Sequence, residues 1–122
     1  MDSLQLICAS EALPDGGSGI RFEVEEKGAT APAFVVRYRG EVRAYINRCP
    51  HVGMELDFMP GEFFDLSGDS LICATHAATY DPSTGRCTSG PCNGTGLEAV
   101  RVTEHDGRVT LVDRVLAATP GR

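Results

Sequence analysis

The sequence predicts an all-β protein built from short antiparallel strands. Gly (14) and Pro (7) are frequent among the 122 residues, which is typical of a chain that turns often. Several segments alternate apolar and polar residues with the period of two that half-buried strands require. No long segment has the apolar period of an amphipathic helix. These observations predict the fold class but not the way in which the sheets pack.

Four strands are predicted in the first half of the chain. The clearest alternation sets Ile20, Phe22 and Val24 between charged neighbours, after a turn at the Pro-Asp-Gly-Gly segment 14–17. A hairpin joined around Gly40 follows. The predicted strands of this half cover residues 4–9, 20–25, 34–38 and 42–46.

The second half contains shorter predicted strands. Two of them flank a turn at 81–85, and the last two are joined by Asp106-Gly107, a strong signal for a two-residue hairpin turn. We expect the end of the chain, 115–122, to hold a helical turn or to fray. The predicted strands of this half cover residues 71–74, 79–80, 86–87, 97–103 and 108–112.

The length and the net charge of the chain limit the kinds of function that the protein can have. A chain of 122 residues is expected to form one domain, because it can bury one core but not two. The formal net charge of −6 argues against binding to nucleic acid or to an anionic membrane surface. The first residues lack the basic and apolar regions of a targeting segment, and no apolar run is long enough to span a membrane. We therefore expect a cytoplasmic protein that binds neither nucleic acid nor membrane.

Two short clusters of Cys and His are the most informative motifs. Cys49-x-His51 is followed, after residues 52–72, by Cys73-x-x-His76. Each cluster offers one thiolate and one imidazole, and these ligands suit an iron–sulfur cluster or zinc. Structural zinc sites usually pair their cysteines with each other, whereas each pair here combines Cys with His. The spacing favours an iron–sulfur cluster and leaves zinc as the alternative.

This arrangement resembles the Rieske family, whose pattern is Cys-x-His followed, after a gap, by Cys-x-x-His. The flanking residues match as well. The Tyr-Asp-Pro segment 80–82, Gly85 and the later Gly90-Pro91 are similar to the family's residues up to the proline loop that covers the cluster. The resemblance covers residues 47–97.

The resemblance implies an antiparallel β sandwich or barrel that serves as the base of the fold. It implies a single Rieske domain over residues 1–122, with a small cluster-binding subdomain inserted at about 47–94. The strand pattern agrees with this architecture.

The resemblance also implies one [2Fe–2S] cluster per chain as the cofactor. Cys49 and Cys73 would bind one iron as thiolates, and His51 and His76 would bind the other as neutral imidazoles. Two imidazoles in place of thiolates remove negative charge near one iron, which makes the cluster easier to reduce.

Three further residues are implied to surround the cluster: Ala78, Tyr80 and Pro91. High-potential members of the family carry an extra Cys near each ligand pair and join them by a disulfide, whereas this chain has Met54 and Thr75 in those neighbourhoods. Those members also place a Ser two residues after the second ligand His, where this chain has Ala78. The resemblance therefore implies a low-to-middle reduction potential for this protein.

The implied function is that of an electron carrier rather than an enzyme. A Rieske ferredoxin would accept one electron from a ferredoxin reductase and pass it to a terminal oxygenase or another redox enzyme. The sequence shows no nucleophile–base constellation and no second metal motif that would carry catalysis. The alternatives are a dedicated small Rieske subunit of a larger oxidoreductase complex and a zinc-stabilised binding module.

The remaining cysteines have simpler interpretations. Cys8 lies in an apolar strand and is expected to be a small core residue. Cys87 and Cys92 flank the predicted proline loop and could pair, but free thiols are favoured in a cytoplasmic chain.

Overall fold

The computed structural model describes residues 5–26, 28–48, 56, 61–65, 67–73, 78–89, 96–112 and 115–116. Strands make up the regular structure of these residues, apart from one 3-10 turn at Ser10–Ala12. The strands are β1 Gln5–Ala9, β2 Ile20–Glu26, β3 Ala29–Tyr38, β4 Glu41–Ile46, β5 Leu71–Ile72, β6 Thr79–Tyr80, β7 Cys87–Ser89, β8 Ala99–Val100, β9 Val102–His105, β10 Arg108–Leu111 and β11 Val115–Leu116. The predicted all-β fold is confirmed.

The strands form three antiparallel sheets. The central sheet has five strands in the order β11-β2-β3-β4-β8. A three-stranded sheet, β1-β10-β9, brings the first strand of the chain beside two late ones, and a second, β5-β6-β7, is formed by the segment that follows the gap between the Cys–His clusters. Within the described residues, no helix has the length and apolar character needed to cross a membrane.

Strand β3 is buried on both faces because side chains alternate across a strand. Phe34 and Val36 pack into a core that we call the site-side core, and Ala33 and Val35 pack into a second one, the base core. The site-side core consists of Phe34, Val36, Tyr45, Leu56, Phe63, Leu71, Cys73, Ala78, Tyr80 and Leu97. The base core consists of Leu13, Val24, Ala31, Ala33, Val35, Ala44, Ile46, Val100, Val109 and Leu111.

Each core lies between the central sheet and a different one of the two three-stranded sheets. The base core includes Val109 and Leu111 of β10, so it fills the space between the central sheet and the β1-β10-β9 sheet. The site-side core includes Leu71 of β5 and Tyr80 of β6, so it joins the central sheet to the β5-β6-β7 sheet. The central sheet is therefore the shared wall of two packed layers.

Two tight turns fix the register of the hairpins. Arg39 and Gly40 both have positive φ (53° and 83°), and Asp106 and Gly107 do too (53° and 75°). Two consecutive positive φ values define the type I′ turn, whose twist suits a two-residue hairpin. The hairpin predicted at Asp106-Gly107 is confirmed, and the one predicted around Gly40 turns at Arg39-Gly40.

Several predicted elements differ from the structure in their bounds or type. β3 starts at Ala29 rather than at residue 34, because its first residues pair with β2. The predicted strand 97–103 is two strands, β8 and β9, which meet at Arg101 where the chain passes from one sheet to another. Val115–Leu116, at the start of the segment for which a helical turn or fraying was predicted, is a strand that pairs with β2, and residues 117–122 lie outside the described residues.

Arg37 on β3 ties the central sheet to the rest of the base. Its guanidinium donates hydrogen bonds to the carbonyl oxygens of Ser10 (3.1 Å) and Leu13 (2.8 Å). It also makes a two-point ion pair with the Glu104 carboxylate of β9, at 3.0 and 2.5 Å. The Arg37 hydrogen bond lowers the pKa of Glu104 from its ordinary value of 4.5 to about 2.

This ion pair should make stability depend on acid pH. Because the folded-state pKa of Glu104 lies below its unfolded value, its contribution is complete above about pH 4.5 and is lost as the pH falls towards 2. We expect Glu104→Gln to reduce the free energy of unfolding at neutral pH by about 1 kcal/mol, since the pair is two-pointed but partly exposed. Urea unfolding between pH 2 and pH 7 checks this.

The exposed carboxylate of Glu23 on β2 provides the control. Glu23→Gln should leave the acid-dependent loss of stability unchanged. Equal pH profiles for Glu104→Gln and the wild-type protein would contradict the assigned role of the ion pair.

Candidate metal centre

Cys73 is the predicted ligand that lies among the described residues. It follows β5 directly, its side chain is fully buried, and it packs in the site-side core. It is a free thiol. The other predicted ligands, Cys49, His51 and His76, lie outside the described residues.

Main-chain hydrogen bonds join the residues on either side of the segment 74–77, which contains His76. The backbone N–H of Cys73 donates a hydrogen bond of 2.8 Å to the carbonyl of Ala78. Beyond that bond, β5 and β6 pair antiparallel, with Ile72 opposite Thr79. Among the described residues, the two ends of the segment that contains His76 are therefore held together by main-chain bonds.

The segment 48–55, which contains Cys49 and His51, is closed in another way. β4 ends at Ile46, and the side-chain oxygen Oδ1 of Asn47 accepts a hydrogen bond of 2.8 Å from the backbone N–H of Leu56. Asn47 is 1% exposed and Leu56 is fully buried. Sequence reasoning missed Asn47, although a polar residue directly after an apolar strand and two positions before the predicted ligand Cys49 was a usable signal.

Two of the residues implied to surround the cluster are described. Ala78 and Tyr80 are both fully buried in the site-side core with Cys73. Ala78 brings no hydroxyl to this core, whereas Tyr80 brings a phenol. Pro91 lies outside the described residues.

Two aromatic residues join the β5-β6-β7 side of the molecule to the central sheet. Phe63 stacks on Phe34 of β3, with ring centroids 4.0 Å apart and an angle of 11° between the planes. The hydroxyl of Tyr45 on β4 donates a hydrogen bond of 2.7 Å to the carbonyl of Pro82. Burial raises the pKa of Tyr45 to about 12, so the phenol remains a neutral donor at physiological pH.

Glycines allow the closest approaches between these layers. Gly85 has φ +81°, its carbonyl accepts a hydrogen bond of 2.7 Å from the N–H of Leu97, and a Cβ atom there would lie 2.7 Å from Cε1 of Tyr45. The N–H of Gly19 donates to the carbonyl of Gly61 at 2.7 Å. These contacts hold the layer that carries Cys73 against β3 and β4.

Comparison with known proteins identifies the family. A family model described as the Rieske [2Fe-2S] domain matches residues 3–111. The chain belongs to the Rieske [2Fe-2S] domain family.

Solved structures of Rieske proteins share the fold. The ferredoxin of carbazole 1,9a-dioxygenase from Nocardioides aromaticivorans IC177 is 23% identical, with a TM-score of 0.67 over 90% of this chain and 97% of that chain. A ferredoxin of Sphingomonas yanoikuyae B1 is 22% identical, with a TM-score of 0.69 over 91% of this chain and 99% of that one. A structure of the complex of reduced oxygenase and oxidised ferredoxin in carbazole 1,9a-dioxygenase gives 26% identity and a TM-score of 0.68, over 88% of this chain and 91% of that one.

A curated relative matches over a shorter segment. The oxidoreductase NdmD of Pseudomonas putida is 39% identical over 54 residues, which is 44% of this chain and 8% of that protein. The chain thus corresponds to a small part of the length of this relative and to almost the whole length of the two ferredoxins.

The described residues of this Rieske domain fit the cluster that the family name implies. A thiolate ligand must be a free cysteine, and the described free cysteines are Cys73 and Cys8. Cys8 lies on β1 beside the base core, and burial raises the pKa of its thiol. Cys73 alone of these two lies in the site-side core and directly follows a strand, β5, at the start of the second predicted ligand pair. Among the described residues no group of three or more His, Cys, Asp or Glu could hold a metal ion, as expected when one predicted ligand is described.

Cys87 differs from the sequence-based expectation. A free thiol was favoured, but its sulfur is in a disulfide bond. Cys92, the cysteine considered as its partner, lies outside the described residues of this Rieske domain.

The contact between Gly85 and Tyr45 can be tested with a matched pair of glycines. Gly85 and Gly40 have nearly the same φ (+81° and +83°), but a Cβ at Gly40 meets nothing within 4 Å. Ala at Gly40 should cost about 1 kcal/mol of unfolding free energy from backbone strain. Ala at Gly85 adds a clash with the Tyr45 ring and should cost about 2–4 kcal/mol. Urea unfolding of both variants measures the difference, and equal losses would contradict the close contact.

Proposed function

We propose that this Rieske protein is a one-electron carrier, a Rieske-type ferredoxin. Family membership, together with a fold that matches two ferredoxins over 97% and 99% of their lengths, is the observation that supports this function. When bound, a [2Fe–2S] cluster takes up and releases one electron. The protein's part is to hold the cluster, tune its potential and present it to partners.

The proposed ligands divide by chemistry. Cys49 and Cys73 bind one iron as thiolates, and His51 and His76 bind the other as neutral imidazoles, with one cluster per chain. The buried, free thiol of Cys73 supports this assignment. We also propose that residues 1–122 form a single domain in which about 47–94 make the cluster-binding subdomain.

The proposed partners are a ferredoxin reductase and a terminal oxygenase or other redox enzyme, all in the cytoplasm. The relative seen in complex with the oxygenase of carbazole 1,9a-dioxygenase supports the oxygenase as electron acceptor. The net charge of −6 would attract a basic docking surface and repel an acidic one.

The acidic side chains after the first ligand pair have different roles. Glu62 and Asp69 are exposed and are available for docking. Asp65 is occupied in a local turn, where its Oδ1 accepts hydrogen bonds from the hydroxyl and the N–H of Ser67 and from the N–H of Gly68. The Ser67 hydroxyl is the main cause of the lowered pKa of Asp65. We therefore assign docking to Glu62 and Asp69 rather than to Asp65.

A second candidate function is that of a dedicated subunit in a larger oxidoreductase. It is supported by the occurrence of the same fold inside longer chains, since this chain covers 34% of the terminal oxygenase of carbazole 1,9a-dioxygenase from Nocardioides aromaticivorans IC177. Repeated reduction by a separately added reductase distinguishes the free carrier. Purification only together with one large subunit would favour the dedicated subunit.

The first test is the metal content of the protein and of two cysteine variants. We expect anaerobically purified protein to be red-brown, with two irons per chain and no zinc, and to give the EPR signal of a reduced Rieske centre after dithionite. Cys73→Ala should lose the colour and the iron, because it removes a thiolate ligand. Cys8→Ala is the matched control, since Cys8 is also a described free thiol but lies beside the base core.

A colourless wild-type protein with one zinc would contradict electron transfer and favour the zinc-stabilised module. Loss of the cluster in both variants would contradict the specific role of Cys73.

The reduction potential tests the role of Ala78. Hydrogen bonds to the sulfurs of a cluster or of its ligands raise its potential, and Ala78 brings no hydroxyl to the core around Cys73. We expect a wild-type midpoint towards the low end of the family range of about −150 to +300 mV. Ala78→Ser should move it upwards, and Ala78→Gly, which adds no donor, should not. A wild-type midpoint near the top of that range would contradict the expectation.

A further inference from the structure

We propose that Asn47 is a positioning residue for the first ligand pair. Its side-chain amide closes the segment that carries Cys49 and His51, and this closure sets how firmly the cluster is held. The inference rests on the proposed ligand role of those two residues.

The hydrogen bonds of Asn47 support this role. Its backbone N–H donates to the carbonyl of Pro32 on β3 at 2.8 Å, which fixes the residue to the central sheet. Its Oδ1 accepts from the N–H of Leu56 at 2.8 Å, and this bond is shielded from water because Asn47 is 1% and Leu56 0% exposed. One residue therefore holds both ends of the segment 48–55 at the edge of the site-side core.

The burial of Leu56 explains why the hydrogen bond that joins the two ends of the segment 48–55 depends on Asn47. Its side chain is part of the site-side core together with Phe34 and Cys73, so its backbone cannot move to water without withdrawing the side chain from that core. A buried N–H that loses its acceptor incurs the cost of desolvation without compensation. Removing the Asn47 oxygen therefore either leaves this N–H unpaired or pulls Leu56 out of the core, and both outcomes loosen the segment 48–55.

For the second ligand pair, the described residues show a main-chain closure instead. Its segment 74–77 is closed by the main-chain bond from Cys73 to Ala78, which any residue at either position could make except proline as the donor. The first pair is closed by a side chain of a particular length and chemistry. Asn47 is therefore the position at which a substitution should affect one ligand pair and spare the other.

Asparagine suits this position better than other residues of similar size. A serine hydroxyl is shorter than the amide and would not reach the Leu56 N–H, and leucine fills the same branched volume without an acceptor. Aspartate keeps the acceptor but adds a buried negative charge, which is costly and opposes the addition of an electron nearby. A neutral acceptor closes the segment without lowering the potential.

The test compares four full-length, cluster-loaded proteins: wild type, Asn47→Leu, Asn47→Asp and Val35→Ala. Val35 is fully buried in the base core, so Val35→Ala lowers global stability without touching the closure. Three quantities are measured: hydrogen exchange of the peptide covering residues 48–56, the rate of cluster bleaching by an iron chelator, and the midpoint potential. Should Asn47→Leu not fold, Asn47→Ser replaces it.

In Asn47→Leu, the amide hydrogens of residues 48–56 should exchange at least tenfold faster than in wild type, and the cluster should bleach at least tenfold faster. A factor of ten corresponds to about 1.4 kcal/mol. Asn47→Asp should retain the slow exchange, because a carboxylate accepts the same bond, and should have a lower midpoint potential. Val35→Ala should not accelerate exchange in residues 48–56 more than elsewhere.

Exchange and bleaching rates of Asn47→Leu equal to those of wild type would overturn the inference. So would a Val35→Ala variant whose exchange in residues 48–56 and whose bleaching are accelerated as much as those of Asn47→Leu. Failure of the proposed function would look different, since the wild-type protein itself would then hold no iron–sulfur cluster.

Discussion

The structure depends on burial of β3 and β4 on both faces. Adjacent residues of β3 belong to different cores: Phe34 faces the layer that carries Cys73, and Val35 faces the β1-β10-β9 sheet. A shift of one residue in the pairing of β3 would exchange these two sets and put the Phe34 ring into the base core, beside Ala44 of β4. The sizes of these side chains therefore select one register, and that register determines where β4 ends and where the segment with the first predicted ligand pair begins.

The site-side core gives the candidate metal centre a rigid support. Cys73 is packed in the same core as Phe34, Phe63 and Tyr80, and the Tyr45 hydroxyl and the close contact at Gly85 join the β6–β7 turn to the central sheet. Electron transfer benefits from such rigidity, because little of the protein has to reorganise when the charge of the centre changes. The family membership of the chain agrees with a fold organised to hold one charged group in a fixed environment.

Sequence patterns predicted the strands and turns whose structure depends on residues close together along the chain. Alternation found β2, and the Asp106-Gly107 turn was predicted because two positive φ values select such residues. The break at Arg101 was missed, since alternation does not reveal when a strand leaves one sheet for another. The ligand motif was readable because its chemistry restricts the residue types. Asn47 and the disulfide bond of Cys87 were not predicted, because each depends on partners that spacing along the chain does not identify.

The main-chain bond between Cys73 and Ala78 has a consequence for variation at the site. Because the carbonyl of residue 78 closes the segment, the side chain at this position takes no part in holding the backbone. A small side chain there, with or without a hydroxyl, leaves this main-chain bond in place. Position 78 is therefore a place where the chemistry beside Cys73 can change while the backbone keeps its path.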